Sequence, residues 1–406
     1  MNPVDFGKKI TMLRKKQGLT QSELAQRLNV SDKAVSKWER GAGFPEITQL
    51  PVLSDIFGVS VDYLMKGNSR GIVIAGNILL DIINMIDKYP SKNMLATVFD
   101  LQKAVGGAVP NTIIDLAVID PELYLSAVGK VGSDEYGRFV VSEMKKYGID
   151  TSRVVVSTSS PTSYTNVMTE VETGERTFFH MKGSNSDFSQ KDIDLDSLDC
   201  EIFHVGYILL LDELDKDDEE YGTKMARLLH DVKAKGIKTS IDVVSEDSER
   251  FAAKVIPALR YCSYATMNEV ESGRVTGLSP RNDDGTLNVS NIKKTMEKFF
   301  EYGVREKVIV HCPEGGFIMN RDGEFTAVPS LKLPKGYIKG SVGAGDAFTA
   351  GCLYGLYKGF DDRRILEFSS AAAACNLSAP DSISGMKSRA YIEDMLKNFE
   401  KNELKI

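Results

Sequence analysis

The sequence predicts two folds in series: an all-α unit at the N-terminus, then an α/β unit with a mostly parallel sheet flanked by helices and a small β lid. Three observations carry this prediction. Residues 1–66 hold several short helical periods and no strand-like run. From residue 72 to about 402, apolar β-type runs (123–128, 201–205, 237–241, 261–266, 308–311) alternate with amphipathic stretches (136–147, 221–235, 291–302, 364–377). That alternation is the mark of a parallel sheet covered on both faces. Between them, 153–157, 163–171 and 176–180 are β-rich with no helix intervening, so a lid is expected at about 80–103 and 153–182.

In the head, Phe6, Ile10 and Leu13 repeat at helical spacing until Gly18. Thr20 with Glu23 three residues later forms a capping-box pattern that starts a helix over 21–28. Asn29-Val30-Ser31 is a short turn, and Ser31 caps a helix over 32–40 that stops at Gly41. Two short helices across a tight turn make a helix-turn-helix unit. Leu24, Ala25, Leu28, Val35, Trp38, Leu50 and Leu53 are its expected core. Residues 1–70 hold 11 Lys and Arg against 7 Asp and Glu, a balance of +4 within a chain of net charge −7. A basic head on an acidic body suits a nucleic-acid-facing module. Residues 67–71 read as a polar, glycine-bearing linker.

The chemistry points to Gly340-Ser341-Val342-Gly343-Ala344-Gly345-Asp346, a glycine turn running into a helical stretch. Bare backbone N–H groups at a helix start attract an anion, and Asp346 there could take a proton from an attacking hydroxyl. Asp346 is equally compatible with simple helix capping. Gly106, Gly107 and Asn111 open another helix, Asp81 follows the first strand, and Asn268 with Glu271 stands at a strand's carboxyl end, where an Mg²⁺–water shell could be organised. No Gly-Lys-Ser/Thr loop, dinucleotide fingerprint, serine-hydrolase elbow or histidine ligand spacing is present. Five scattered cysteines without a C-x-x-C pair argue against disulfides and zinc and for a reducing cytoplasm. The absence of a long apolar run excludes a helical membrane span.

Residues 4–66 resemble the Cro/repressor-type (XRE) DNA-binding domain through Leu19-Thr20-Gln21-Ser22-Glu23-Leu24-Ala25, Val30-Ser31 and Ala34-Val35-Ser36-Lys37-Trp38-Glu39-Arg40-Gly41. The resemblance implies that Gln21 grips a phosphate, that Asp32, Lys33, Ser36 and Lys37 face the major groove of an operator duplex, and that Arg40 meets the backbone. Paired half-sites imply a homodimer.

Residues 71–400 resemble the ribokinase/PfkB family of carbohydrate kinases. Gly76-Asn77-Ile78-Leu79-Leu80-Asp81, the pair Gly106-Gly107 with Asn111, the segment Gly174-Glu175-Arg176, the Asn268-x-x-Glu271 motif and Gly343-Ala344-Gly345-Asp346 appear in the family's order. The resemblance implies a ribokinase-like fold. Asp81, Gly106, Gly107 and Asn111 would hold a sugar, and Asn268, Glu271, Gly315, Gly316 and Asn376 would serve ATP and phosphate. Glu271 would meet Mg²⁺ through water. Gly343, Ala344 and Gly345 would form the anion hole, with Asp346 the base and a monovalent cation nearby. Two departures stand out: Gly340-Ser341 replaces the signature's Asp-Thr, and Pro313 interrupts the nucleotide loop His311-Cys312-Pro313-Glu314-Gly315-Gly316. The expected function is ATP-dependent phosphorylation of a sugar hydroxyl, coupled to DNA-binding transcriptional regulation. The alternative is a sugar-sensing regulator with little turnover.

Overall fold

In the computed structural model, residues 2–57, 59, 61–65, 70–245 and 249–404 are described. Most of the predicted linker, 67–69, lies outside them. The head is five helices: Pro3–Lys16, Gln21–Leu28, Asp32–Glu39, Gln49–Phe57 and Val61–Met65. Local chemistry sets their starts. Thr20 accepts the Glu23 N–H while Glu23 accepts the Thr20 N–H, and Ser31 caps the third helix. All seven expected core residues are buried around Trp38, joined by Phe6, Ile10, Leu13 and Phe57. Tyr124, from the second unit, packs against this core with the Lys9 ammonium over its ring.

The second unit carries a nine-stranded sheet. Its strands run, edge to edge, Phe325–Pro329, Gly315–Asn320, Lys307–Cys312, Tyr264–Asn268, Lys238–Val243, Ile202–Ile208, Ile72–Gly76, Leu125–Gly132 and Asp150–Ser157. Six of the eight pairings are parallel, and the antiparallel two form the hairpin edge at 307–329. Central strands such as Ile72–Gly76 are buried on both faces, which explains why they read as continuous apolar runs. Helices pack on either side over two large cores.

The lid is a separate four-stranded sheet of Val98–Gly106, Leu79–Ile86, Ser163–Glu170 and Arg176–Met181. One expectation is corrected here: residues 153–157 are not lid. They pair in parallel with Leu125–Gly132 and close the main sheet, because Val154 and Val156 align with Gly129 and Val131. Among the described residues, no helix is long and apolar enough to cross a membrane.

Candidate active site

The glycine turn does sit at a helix start. The helix Ala344–Lys358 begins after Gly343, which has φ +79° and offers no side-chain cap. A Cβ on Gly343 would fall 2.7 Å from Ser382, so only glycine allows the loop 378–385 this close. Among the described residues, the N–H groups of Gly345 and Asp346 find no acceptor in the chain. They are the unsatisfied donors of a helix N-terminus, aimed where an anion would be stabilised.

A cavity of about 230 Å³ opens here, lined by Gly343, Gly345, Asp346, Asn268 and Glu271. Five residues singled out by the sequence therefore share one space. Asp242, Tyr207 and His311 line it too. Asp346 is 5% exposed, and its Oδ2 accepts from Asn111 Nδ2 at 2.8 Å and from the Tyr207 hydroxyl at 2.9 Å. Burial pushes the Asp346 carboxyl up to about 7, helped by the charge of Asp242 and opposed by those two hydrogen bonds. A carboxyl poised there is suited to proton transfer near neutral pH.

Asn268 and Glu271 form a reciprocal capping box on the helix Glu269–Thr276. Glu271 Oε2 accepts the Asn268 N–H at 2.9 Å, and Oε1 accepts from Ser245 at 2.7 Å. Burial raises Glu271 to about 7. One carboxylate facing a cavity suits Mg²⁺, which keeps most of its waters and takes substrate phosphates as ligands. Among the described residues, no cluster of three or more acidic, His or Cys side chains could cage a metal directly.

On the lid side, burial likewise raises Asp81 to about 7, with Arg176 pulling it back. A Cβ on Gly106 would fall 2.3 Å from Asp81 Oδ2, so the glycine keeps that carboxylate in place. Gly107, φ +89°, caps the helix Ala108–Ile119 and presents Asn111 to Asp346. Arg176 Nη2 donates to the Pro380 carbonyl at 3.0 Å, tying the lid to the loop beside Gly343.

Three predicted nucleotide residues sit outside the cavity lining. Gly315 and Gly316 belong to the hairpin strand Gly315–Asn320, where added Cβ atoms would meet the Val328 carbonyl and the Phe348 ring. Asn376 is fully buried and holds the loop 378–385 by donating to the Ser382 carbonyl at 2.7 Å. A Cβ on Gly340 would fall 3.0 Å from the Ala379 and Pro380 backbone, leaving little room for the signature's aspartate.

In the head, Asp32, Lys33, Lys37 and Arg40 are exposed on one helix and its cap, and Ser36 is half-buried. Gln21 donates its amide to Glu39 at 2.7 Å, and Asp32 accepts from Ser22.

Sequence reasoning missed Tyr207 and Asp242, and named Arg176 only within its motif, without a role. Asp242 carried a legible signal, an acid at the carboxyl end of a predicted parallel strand. Tyr207 carried none, lying inside the apolar run Val205-Gly206-Tyr207-Ile208-Leu209.

Comparison with known proteins agrees with this geometry. The pfkB family carbohydrate kinase profile matches residues 70–389, and a helix-turn-helix profile matches residues 10–64. A 5-dehydro-2-deoxygluconokinase of Geobacillus thermodenitrificans (strain NG80-2) is 26% identical over 318 residues, 73% of this chain and 86% of that one. The HTH-type transcriptional activator BcrR of Enterococcus faecalis is 42% identical over 64 residues, 16% of this chain and 31% of that one. The structure of Arabidopsis thaliana ribokinase complexed with ribose and ATP superposes with a TM-score of 0.67 at 20% identity, covering 81% of this chain and 99% of that one. At that identity the likeness establishes the fold. The chain belongs to the pfkB family of carbohydrate kinases, with a helix-turn-helix DNA-binding domain at its N-terminus.

Proposed function

We propose that the second domain is an active kinase that transfers the γ-phosphoryl group of MgATP to a sugar hydroxyl. The observation that carries this is Asp346, raised toward neutrality at a helix N-terminus whose free N–H groups share its cavity with Glu271. In this reading Asp346 accepts the hydroxyl proton as the oxygen attacks phosphorus. The free amides of Gly345 and Asp346 neutralise the transferring group, with Ala344, whose N–H turns back to the Ser341 carbonyl, shaping the turn. When bound, Mg²⁺ adds charge neutralisation on the phosphates, held from Glu271 through water. Asp81 and Asn111 orient the sugar, and Gly106 and Gly107 bring the backbone close to it. The relative's name makes sugar acids the first substrates to try.

The head binds an operator duplex through Lys33, Ser36, Lys37 and Arg40. A homodimer supplies two heads, and Leu101, Phe179 and Met181, exposed on one face of the lid sheet, are its proposed contact. The packing of Tyr124 on the helical core offers a route by which sugar binding biases DNA affinity.

Substrate-dependent ADP release, measured across sugar acids, ketoses, aldoses and nucleosides, tests the kinase. Asp346→Asn is expected to lower kcat by about 10²–10⁴-fold without changing the thermal transition. Wild-type protein that binds a sugar yet releases no ADP would favour the sensor reading instead, which the prolyl interruption at Pro313 anticipates. Operator retention measured with and without that sugar then reads the coupling.

A further inference from the structure

Tyr207 is held in a conformation that its sequence does not favour. It is the last residue but one of the strand Ile202–Ile208, with φ +61°, and Leu209 just past the strand has φ +90°, both in the left-handed region that side chains avoid. Such backbone persists where surrounding contacts over-determine it, and it concentrates at functional sites. The contacts are present. Asp242 Oδ1 accepts the Tyr207 N–H at 2.7 Å, and Asp215 accepts the Leu209 and Leu211 N–H groups at 3.3 Å each. Asp242 is backed in turn by His204, whose other ring nitrogen meets Ser240 Oγ at 3.0 Å. The product of this bend is one placement: the Tyr207 hydroxyl at 2.9 Å from Asp346 Oδ2.

That oxygen also receives Asn111 Nδ2 at 2.8 Å. Two donors converge on Oδ2, and among the described residues no side chain donates to Oδ1. We propose that Tyr207 is a positioning residue for phosphoryl transfer, pinning the Asp346 carboxylate with Asn111 so that Oδ1 faces the acceptor hydroxyl. The inference rests on Asp346 being the base. It assigns the unequal jobs of the two oxygens: Oδ2 is anchored, and Oδ1 accepts the proton. The anchor also opposes the forces that keep Asp346 protonated. Asp242 and Glu271 stand close enough to act on its charge, the buried Asp115 feels that charge in turn, Asp81 acts on the Tyr207 hydroxyl, and the neutral His311 lies beside Gly345. Asp242 and Glu271 disfavour the charged base, and the two hydrogen bonds favour it.

Tyr207→Phe keeps the ring and removes the hydroxyl, and an unchanged thermal transition establishes that it folds. The expected result is a kcat at pH 7 lowered about tenfold to a hundredfold, with the sugar KM changed less than about twofold. The acid limb of the kcat profile moves to higher pH. In parallel, carbon NMR of protein labelled at its aspartate carboxyls follows Asp346 directly, its resonance assigned by loss in Asp346→Asn. It should titrate near 7 in the wild type and higher in Tyr207→Phe. An unchanged titration and unchanged kcat would overturn the proposal. So would a rise in kcat, which would mean that the hydroxyl occupies the acceptor's own place, or a loss confined to KM, which would put it on the sugar. If the wild type turns over no sugar, the kinase reading falls, while the NMR titration still decides whether Tyr207 anchors Asp346.

Discussion

The head and the kinase site treat buried charge in opposite ways. In the head, the main buried acid is fully partnered: Glu39 takes Arg14 Nε at 2.5 Å, Arg14 Nη2 at 3.0 Å and the Gln21 amide at 2.7 Å. Burial alone would raise the Glu39 carboxyl, yet those donors hold it below the ordinary range and raise Arg14 above its own. In the kinase domain, Asp346, Glu271 and Asp115 are buried and Asp81 half-buried, none with a salt-bridge partner among the described residues, and desolvation raises every one. The head uses charge to fix one geometry. The kinase domain leaves these four without an ion pair, unlike its own buried Glu269, which Arg281 pairs at 2.8 Å; that costs stability and suits groups that exchange protons or meet cationic and hydroxyl ligands.

The comparison breaks most visibly at Glu39. Removing one partner of a buried pair strands the other, so Glu39→Ala should destabilise the head by about 3–5 kcal/mol. That is a large share of a small domain's stability. Scanning calorimetry should show an early transition for the head while the kinase transition and ADP release stay put. A loss under about 1 kcal/mol would mean that the pair behaves as an exposed one, and the contrast between the domains would fail.

Asp115 sharpens the other side. It is fully buried on the helix Ala108–Ile119, one turn beyond Asn111, and among the described residues neither carboxyl oxygen has a hydrogen-bond partner. Burial raises it well above its ordinary value, and Asp346 and Asp381 add to the shift. The folded state therefore holds this proton at pH values where the unfolded chain has released it. Stability from this group is present below its unfolded value near 4 and is lost as pH rises toward the folded value. Asp115→Asn removes that loss. It should melt higher than the wild type at pH 8, by an equivalent of about 1–3 kcal/mol, with the gap closing toward pH 4. A gap independent of pH would show that Asp115 does not titrate between the two states.

Asp115 also shows where the sequence stops speaking. Helix starts were legible because capping is local: Thr20 with Glu23, Ser31, and Asn268 with Glu271 each act within three residues. The glycine turn was legible for the same reason, and its neighbours Asp346 and Glu271 came with it. Asp115 lies on a helix buried nearly all round, so no polar face marks its position. Tyr207 reaches Asp346 across 139 positions, and residues 153–157 joined the main sheet by a pairing that only the folded register decides. Local signals name elements; the assignment of a β run to one sheet or another depends on partners far along the chain.

The smallest effect separates local from long-range stabilisation inside the head itself. Thr20 Oγ1 accepts the Glu23 N–H at 3.2 Å and Glu23 Oε2 accepts the Thr20 N–H at 2.7 Å, both at the exposed start of the helix Gln21–Leu28. Water can replace either bond, unlike those of Glu39. Thr20→Ala should therefore cost about 1 kcal/mol, a fraction of the Glu39→Ala effect, although both acids bond to backbone or side chains of the same two-helix unit. Denaturant titration of the head's tryptophan, Trp38, gives both values on one scale. Equal losses at the two sites would mean that the Arg14–Glu39 pair adds nothing beyond a surface cap, and that the head, like the kinase domain, carries its buried acid at a cost.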